Sequence, residues 1–374
     1  MAIAAPQSSP TIPAIQFLRA LAATAVVAFH VRFDIVTKVS IPGFLPDGFD
    51  QGAAGVDLFF VISGFVMVYS SESLFGRSAA WRTFLLRRIA RIVPLYWIMT
   101  TIMLIYVVAR GFDASDASPT LALASYLFIP YWRPSGVIDP LYGIGWTLNY
   151  EMFFYVVFAV FLWARREIAV AGVAAFLAAL ALIVATAGYF PRQVVWLCDP
   201  IILEFVFGMG IAIAYRAGVR LSPVASALLV VLAIAEIAWS ASAWHIDLPR
   251  WIEWGIPAAQ TVAALVLLDR HLSFPRSAEM LGDASYALYL IHPALISVAR
   301  ALSNKGYLIP SAAPWLYLIG YTGICIAASL VVYRLVEKPI TTLAKRELSK
   351  FRKEEALSAA PRIRPESEKR RFGV

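Results

Sequence analysis

About ten times along its 374 residues the chain runs apolar for close to twenty residues, the length an α-helix needs to cross the hydrocarbon of a bilayer. Backbone in lipid must satisfy its own polar groups, so such runs fold as helices. They cover residues 15–35, 52–72, 91–110, 143–163, 168–187, 195–215, 223–240, 254–268, 279–300 and 314–336. With 60% hydrophobic and 15% charged residues and a mean hydropathy of +0.72, an ordinary soluble protein is excluded. The expected fold class is all-α, a polytopic membrane protein of about ten transmembrane helices with both termini cytoplasmic. Residues 1–340 are expected to form one transmembrane domain, and 341–374 a basic cytoplasmic tail, largely disordered.

Charge sets the expected sidedness. With the N-terminus inside, the inner loops and the tail hold 22 of the 32 Lys and Arg residues, which accounts for the net charge of +8 without a nucleic-acid partner. The loop Ser73–Arg91, with five arginines and no acid, is the clearest cytoplasmic one. Residues 1–13 have no charged region of the kind that opens a signal peptide, so the N-terminus is expected to stay attached. The two cysteines, Cys198 and Cys325, fall inside apolar runs, and neither a disulfide framework nor a metal site is expected. The apolar segment Pro119–Pro130 is too short to cross and reads as an interfacial or re-entrant piece of the outer loop 111–142.

Ionisable groups inside these runs are the candidates for function, because charge in a bilayer is costly and usually points into protein or a wet cavity. The first run carries Arg19 and His30, eleven residues apart. On a helix that is a rise of about 16 Å and nearly whole turns, so both leave one face at different depths. Snorkelling of Arg19 and simple packing of His30 is the competing explanation. Counted by depth, Asp57, Asn149, Glu151 and His292 join His30 in the outer half, a set suited to general base catalysis by an imidazole that a carboxylate orients. Proton relays in carriers use the same residue types. On the inner side, Arg87, Arg88 and Arg91 lie on neighbouring turns near Arg19, and guanidinium groups there either bind phosphate or simply fix topology. Trp146 and other aromatics at the outer mouth suit either stacking on sugar faces or an interfacial belt.

Taken together, Arg19 with His30, GVDLFFVISGF at 55–65, RRIARIVP at 87–94, GWTLNYEMFFY at 145–155, LGDASYALYLIHP at 281–293 and VEKP at 336–339 resemble the acyltransferase 3 family of bacterial membrane proteins, and most of all its glycan O-acetylating branch. The resemblance implies a ten-helix fold in the bacterial inner membrane. It implies transfer of an acyl group, often acetyl from cytoplasmic acetyl-CoA, to a hydroxyl of an extracytoplasmic or lipid-linked glycan such as exopolysaccharide. Within it His30 matches the essential histidine, Arg19 its paired cation, and Asp57 and Glu151 the recurrent acids. The expected catalytic residues are therefore His30, oriented by Asp57, and Glu151. Arg19, Arg87, Arg88 and Arg91 would hold the acetyl-CoA phosphates, and Asn149, His292 and Trp146 the acceptor, with no metal. The expected partners are acyl-CoA, the glycan, the lipid bilayer and polysaccharide assembly machinery. A proton-coupled carrier without acyl transfer is the alternative, opposed by the lack of paired broken helices, and a structural subunit of an assembly complex is a third reading.

Overall fold

In the computed structural model, residues 12–38, 47–111, 118–242, 244, 246–269, 272–308 and 313–347 are described. Apart from two isolated bridge pairs, their regular structure is helical. The helices are α1 (Pro13–Lys38), α2 (Gly55–Ser70), α3 (Ala80–Ala109), α4 (Pro119–Tyr126), α5 (Trp146–Phe161), α6 (Arg166–Ala187) and α7 (Arg192–Leu197). They continue with α8 (Leu203–Arg216), α9 (Pro223–Ser240), α10 (Arg250–Glu253), α11 (Gly255–Val266), α12 (Arg276–Asp283), α13 (Ser285–Asn304) and α14 (Pro314–Val332). The chain is a multi-pass membrane protein. Most of the expected tail lies outside the described residues.

Nine of the ten apolar stretches form segments long and apolar enough to cross a membrane, counted among the described residues. The tenth does not. Its α11 has twelve residues, a rise of about 18 Å against the roughly 30 Å of a hydrocarbon core. Trp254 separates it from the single turn of α10, and Gly255 and Pro257 stand at its start. A similar interruption at residues 198–202 divides α7 from α8. Irregular backbone at membrane depth is tolerated where protein or a cavity surrounds it. Both breaks lie in the second half of the chain, so they are not the matched pair of a repeat-built carrier.

The centre of the bundle is α2, twelve of whose sixteen residues are buried. It meets α8 at backbone contact distance: a methyl group built on Gly64 would stand 2.1 Å from the Phe205 carbonyl oxygen, and one on Gly208 only 1.9 Å from that of Val61. Close crossing of this kind is how membrane helices gain packing where lipid offers no hydrophobic drive. α1 lies beside α2, and α12 packs against its start, where the Gln16 amide donates to Asp283. At the periphery α9 shows Val224, Leu228, Val231 and Ile234 to the outside, as a lipid-facing helix must. The segment expected to be interfacial is α4, eight residues capped by the Ser118 hydroxyl and held to α3 by the Trp97 indole donating to the Tyr126 carbonyl at 2.9 Å.

Candidate functional site

Two cavities open along α1. Arg19 lines the first, of about 260 Å³, together with Arg88, Arg91, Ser63, Glu151 and Tyr155. His30, on the same unbroken helix, lines the second, of about 1000 Å³, with Trp146, Trp196, Arg250 and Trp254. Tyr289 and Val56 belong to the walls of both. The Tyr289 hydroxyl lies 2.9 Å from that of Thr147 and donates to the Ile144 carbonyl at 3.2 Å, closing the boundary with α5.

In the first cavity Arg88 donates to the Ser70 hydroxyl at 2.8 Å, and its guanidinium stands over the Phe84 and Tyr155 rings. Its Nε is buried without a hydrogen-bond partner among the described residues. Arg19 reaches back to the Gln16 side chain at 3.2 Å. Glu151 lies here as well, accepting from Ser63 at 3.2 Å and from the Tyr155 hydroxyl. The expected place for Glu151 beside the histidines is therefore corrected: Thr147, Glu151 and Tyr155 form one i, i+4 stripe of α5, and that stripe faces the arginines. Asn149, two residues from Thr147 and so about 200° round the helix, lines neither cavity. It is buried, and its amide finds no hydrogen-bond partner among the described residues. Arg87 is likewise outside the lining, one residue and about 100° away from Arg88.

The π-helical turn Tyr333–Glu337 brings the buried Glu337 within electrostatic reach of Arg19 and Arg91. An extra residue in the helical ladder rotates every later side chain about the axis, and such turns recur at functional sites. Glu337 belongs to the VEKP stretch, so its presence was visible in the sequence while its partners were not.

In the second cavity, the His30 Nδ1 stands 2.8 Å from the Val26 carbonyl oxygen. A carbonyl only accepts, so Nδ1 carries a proton and Nε2 is the basic nitrogen of the neutral ring. His292 is fully buried behind it, ring centres 4.9 Å apart, and bonds in the same way to Leu288 at 3.1 Å. His292 itself lines neither cavity, so its expected contact with an acceptor gives way to packing against His30.

The expectation that Asp57 orients His30 is also corrected. Asp57 is buried in the first turn of α2 and takes a bidentate pair from Arg250, Nε to Oδ1 at 2.9 Å and Nη2 to Oδ2 at 2.8 Å. Charged, planar partners of this kind outcompete an imidazole for a carboxylate. Burial works against the Arg250 charge, but Asp57 and the neighbouring Glu204 more than offset it, and its pKa is raised above the ordinary value. The guanidinium also stands 4.7 Å over the Trp254 ring and 5.7 Å over Trp146. Arg250 was missed because it reads as one more loop cation. The available signal was its place in LPRWIEW, just before two tryptophans and ahead of the shortest apolar run. Tyr289 was missed too, though it stands three residues before His292, one helical turn away. Among the described residues no group of three or more His, Cys, Asp or Glu side chains is placed to hold a metal.

The acyltransferase domain family matches residues 12–334. Exopolysaccharide production protein ExoZ of Rhizobium meliloti (strain 1021) is 36% identical over 304 residues, covering 78% of this chain and 90% of its own. Acyltransferase MdmB of Streptomyces mycarofaciens is 28% identical over 380 residues, covering 90% of this chain and 93% of its own. Peptidoglycan O-acetyltransferase OatA of Listeria monocytogenes is 28% identical over 163 residues, 40% of this chain and 24% of its own. No solved structure matches the chain. A family match that runs almost from end to end, on a helical bundle with two cavities joined by α1, makes this chain a membrane enzyme of the acyltransferase family.

Proposed function

We propose that the chain is an O-acetyltransferase of the bacterial inner membrane that moves an acetyl group from acetyl-CoA, bound on the cytoplasmic side, to a glycan hydroxyl on the other. The observation that carries this reading is that one helix, α1, places a cation in one cavity and an imidazole in the other, with Tyr289 in the walls of both. The kinship with an exopolysaccharide production protein and a peptidoglycan O-acetyltransferase supports the glycan as acceptor. Polysaccharide assembly machinery is the partner such an enzyme would serve.

Arg19, Arg88 and Arg91 suit the donor's phosphates, and the orphaned Arg88 Nε has a hydrogen bond still to give. A volume of about 260 Å³ is below the range of pockets that enclose whole drug-sized ligands, so the nucleotide rests at the mouth and the thin arm enters. The donor supplies an acyl group activated as a thioester. His30 Nε2 takes the proton of the acceptor hydroxyl, whose oxygen forms the new bond to the acyl carbon as the carbon–sulfur bond breaks. His30 then returns the proton to the departing thiolate, leaving the imidazole neutral and balancing the transfer. Asp57 acts as a positioning residue through Arg250, and Glu151 as one that ties Ser63 and Tyr155 beside the arginines.

Replacing His30 with alanine is expected to lower glycan acetylation by about three orders of magnitude, the middle of the range for a lost general base, while the protein still inserts. Near-normal acetylation would remove the mechanism. The joint change Arg88→Gln and Arg91→Gln is expected to weaken acetyl-CoA binding about tenfold or more, whereas Arg87→Gln leaves it within a factor of about two. Unchanged affinity in the double variant would place the donor elsewhere.

A further inference from the structure

Among the described residues, Val56 of α2 and Tyr289 of α13 are the two side chains common to the walls of both cavities. Tyr289 is the larger, and its hydroxyl is tied to both rims. It donates at 3.2 Å to the carbonyl of Ile144, which lines the His30 cavity, and lies 2.9 Å from the hydroxyl of Thr147, which lines the arginine cavity. The ring meets Phe59 edge-on with centres 6.0 Å apart and meets His292 at the same separation, and His292 stands 4.9 Å from His30. Tyr289 is buried, and a buried hydroxyl that gives up its partners is penalised, so the ring stays where Ile144 and Thr147 hold it. Along one face of α13, Tyr286 lines the arginine cavity, Tyr289 both and Pro293 the His30 cavity, at spacings of three and four residues.

Acyl transfer makes demands on this partition. The thioester arrives with the donor from the arginine side and the acceptor hydroxyl from the side of His30, so the acyl carbon has to lie where the two meet. The rest of the acyl group needs room as well. With the acceptor ahead and the donor arm behind, that room is bounded by Val56, Phe59 and the Tyr289 ring. A methyl group asks for little space there. Each further methylene presses on an aromatic ring that is pinned by its hydroxyl, and a pocket rejects one surplus methylene by about 10- to 200-fold.

We infer that Tyr289 sets the size of the acyl group, its anchored ring admitting acetyl at the partition and turning longer chains away. This rests on the transferase reading above and adds the residue that selects what the donor carries. Tyr289 determines specificity; the bonds and the proton move as described for His30.

The test uses membranes of broken cells bearing the full chain, supplied in parallel with labelled acetyl-, butyryl- or hexanoyl-CoA, and counts alkali-labile label in the glycan fraction against membranes lacking the chain. The unaltered chain is expected to favour acetyl over hexanoyl by about 100-fold or more, and Tyr289→Ala to shrink that ratio by about tenfold or more. Tyr289→Phe keeps the ring but frees it from Ile144 and Thr147, and its ratio is expected to fall between the two. A folding defect lowers transfer from every donor alike and leaves the ratio unmoved, which separates selection from a merely structural role. If Tyr289→Ala does not accumulate, Val56→Ala widens the same partition and is expected to shift the ratio in the same direction. A ratio unchanged in the alanine variant, or hexanoyl transfer by the unaltered chain as fast as acetyl, overturns the proposal and leaves the transferase intact. No label from any donor overturns the transferase reading and this inference with it.

Discussion

At the scale of single residues, the Asp57–Arg250 pair shows what a buried charge demands. Asp57 is completely buried and Arg250 about one-third exposed. Removing one partner strands the other, which for buried pairs costs several kcal/mol, whereas removing both costs less. Asp57→Ala is therefore expected to destabilise the protein by about 3 kcal/mol, the lower end of that range because water reaches Arg250. The double change Asp57→Ala with Arg250→Ala is expected to recover at least half of the loss, read by thermal unfolding in detergent. Additive losses would deny the coupling. Asp57 was legible in the sequence as a charge inside a membrane run, but its partner lies 193 residues away, and no local pattern encodes such a pairing. Glu151 was legible in the same sense, and it and Asn149 were misplaced for a related reason: each residue turns a helix by about 100°, and which face of α5 meets which cavity is set by packing, so Glu151 faces the arginines and Asn149 neither cavity.

At the scale of elements, the crossing of α2 and α8 depends on what is missing from Gly64 and Gly208. Alanine at 208 would put a methyl carbon 1.9 Å from the Val61 carbonyl oxygen, and neither backbone can retreat without opening the core. Gly208→Ala is expected to cost about 1–3 kcal/mol, as overpacking does, while Gly210→Ala on the same helix, with nothing within 4 Å, is expected to be neutral or stabilising by up to about 1 kcal/mol. Comparable losses at both positions in an unfolding assay would contradict the close crossing. The membrane helices themselves were readable because a twenty-residue apolar run has few alternatives. The failure at 254–268 has a physical reason as well. Composition there is as apolar as elsewhere, but the helix holds only the twelve residues Gly255–Val266, and the break at Trp254 leaves Arg250 on a separate turn, where it pairs with Asp57.

For the molecule as a whole, the ten-helix expectation and the family resemblance were carried by stretches spread over nearly the entire chain, and the bundle places most of them around the two cavities. What no stretch revealed was the boundary between those cavities, because Tyr289, Val56 and Thr147 come from three helices and acquire a shared role only once packed. Passage of an acetyl group from one cavity to the other is the act on which every residue role here depends. The direct measurement is transfer in sealed vesicles holding the full chain in one orientation, with labelled acetyl-CoA confined to the arginine face and acceptor saccharide to the His30 face. Label is expected to accumulate on the acceptor with neither reactant crossing, and to do so only when His30 is present. Acetylation that occurs solely when both reactants share one face would contradict it.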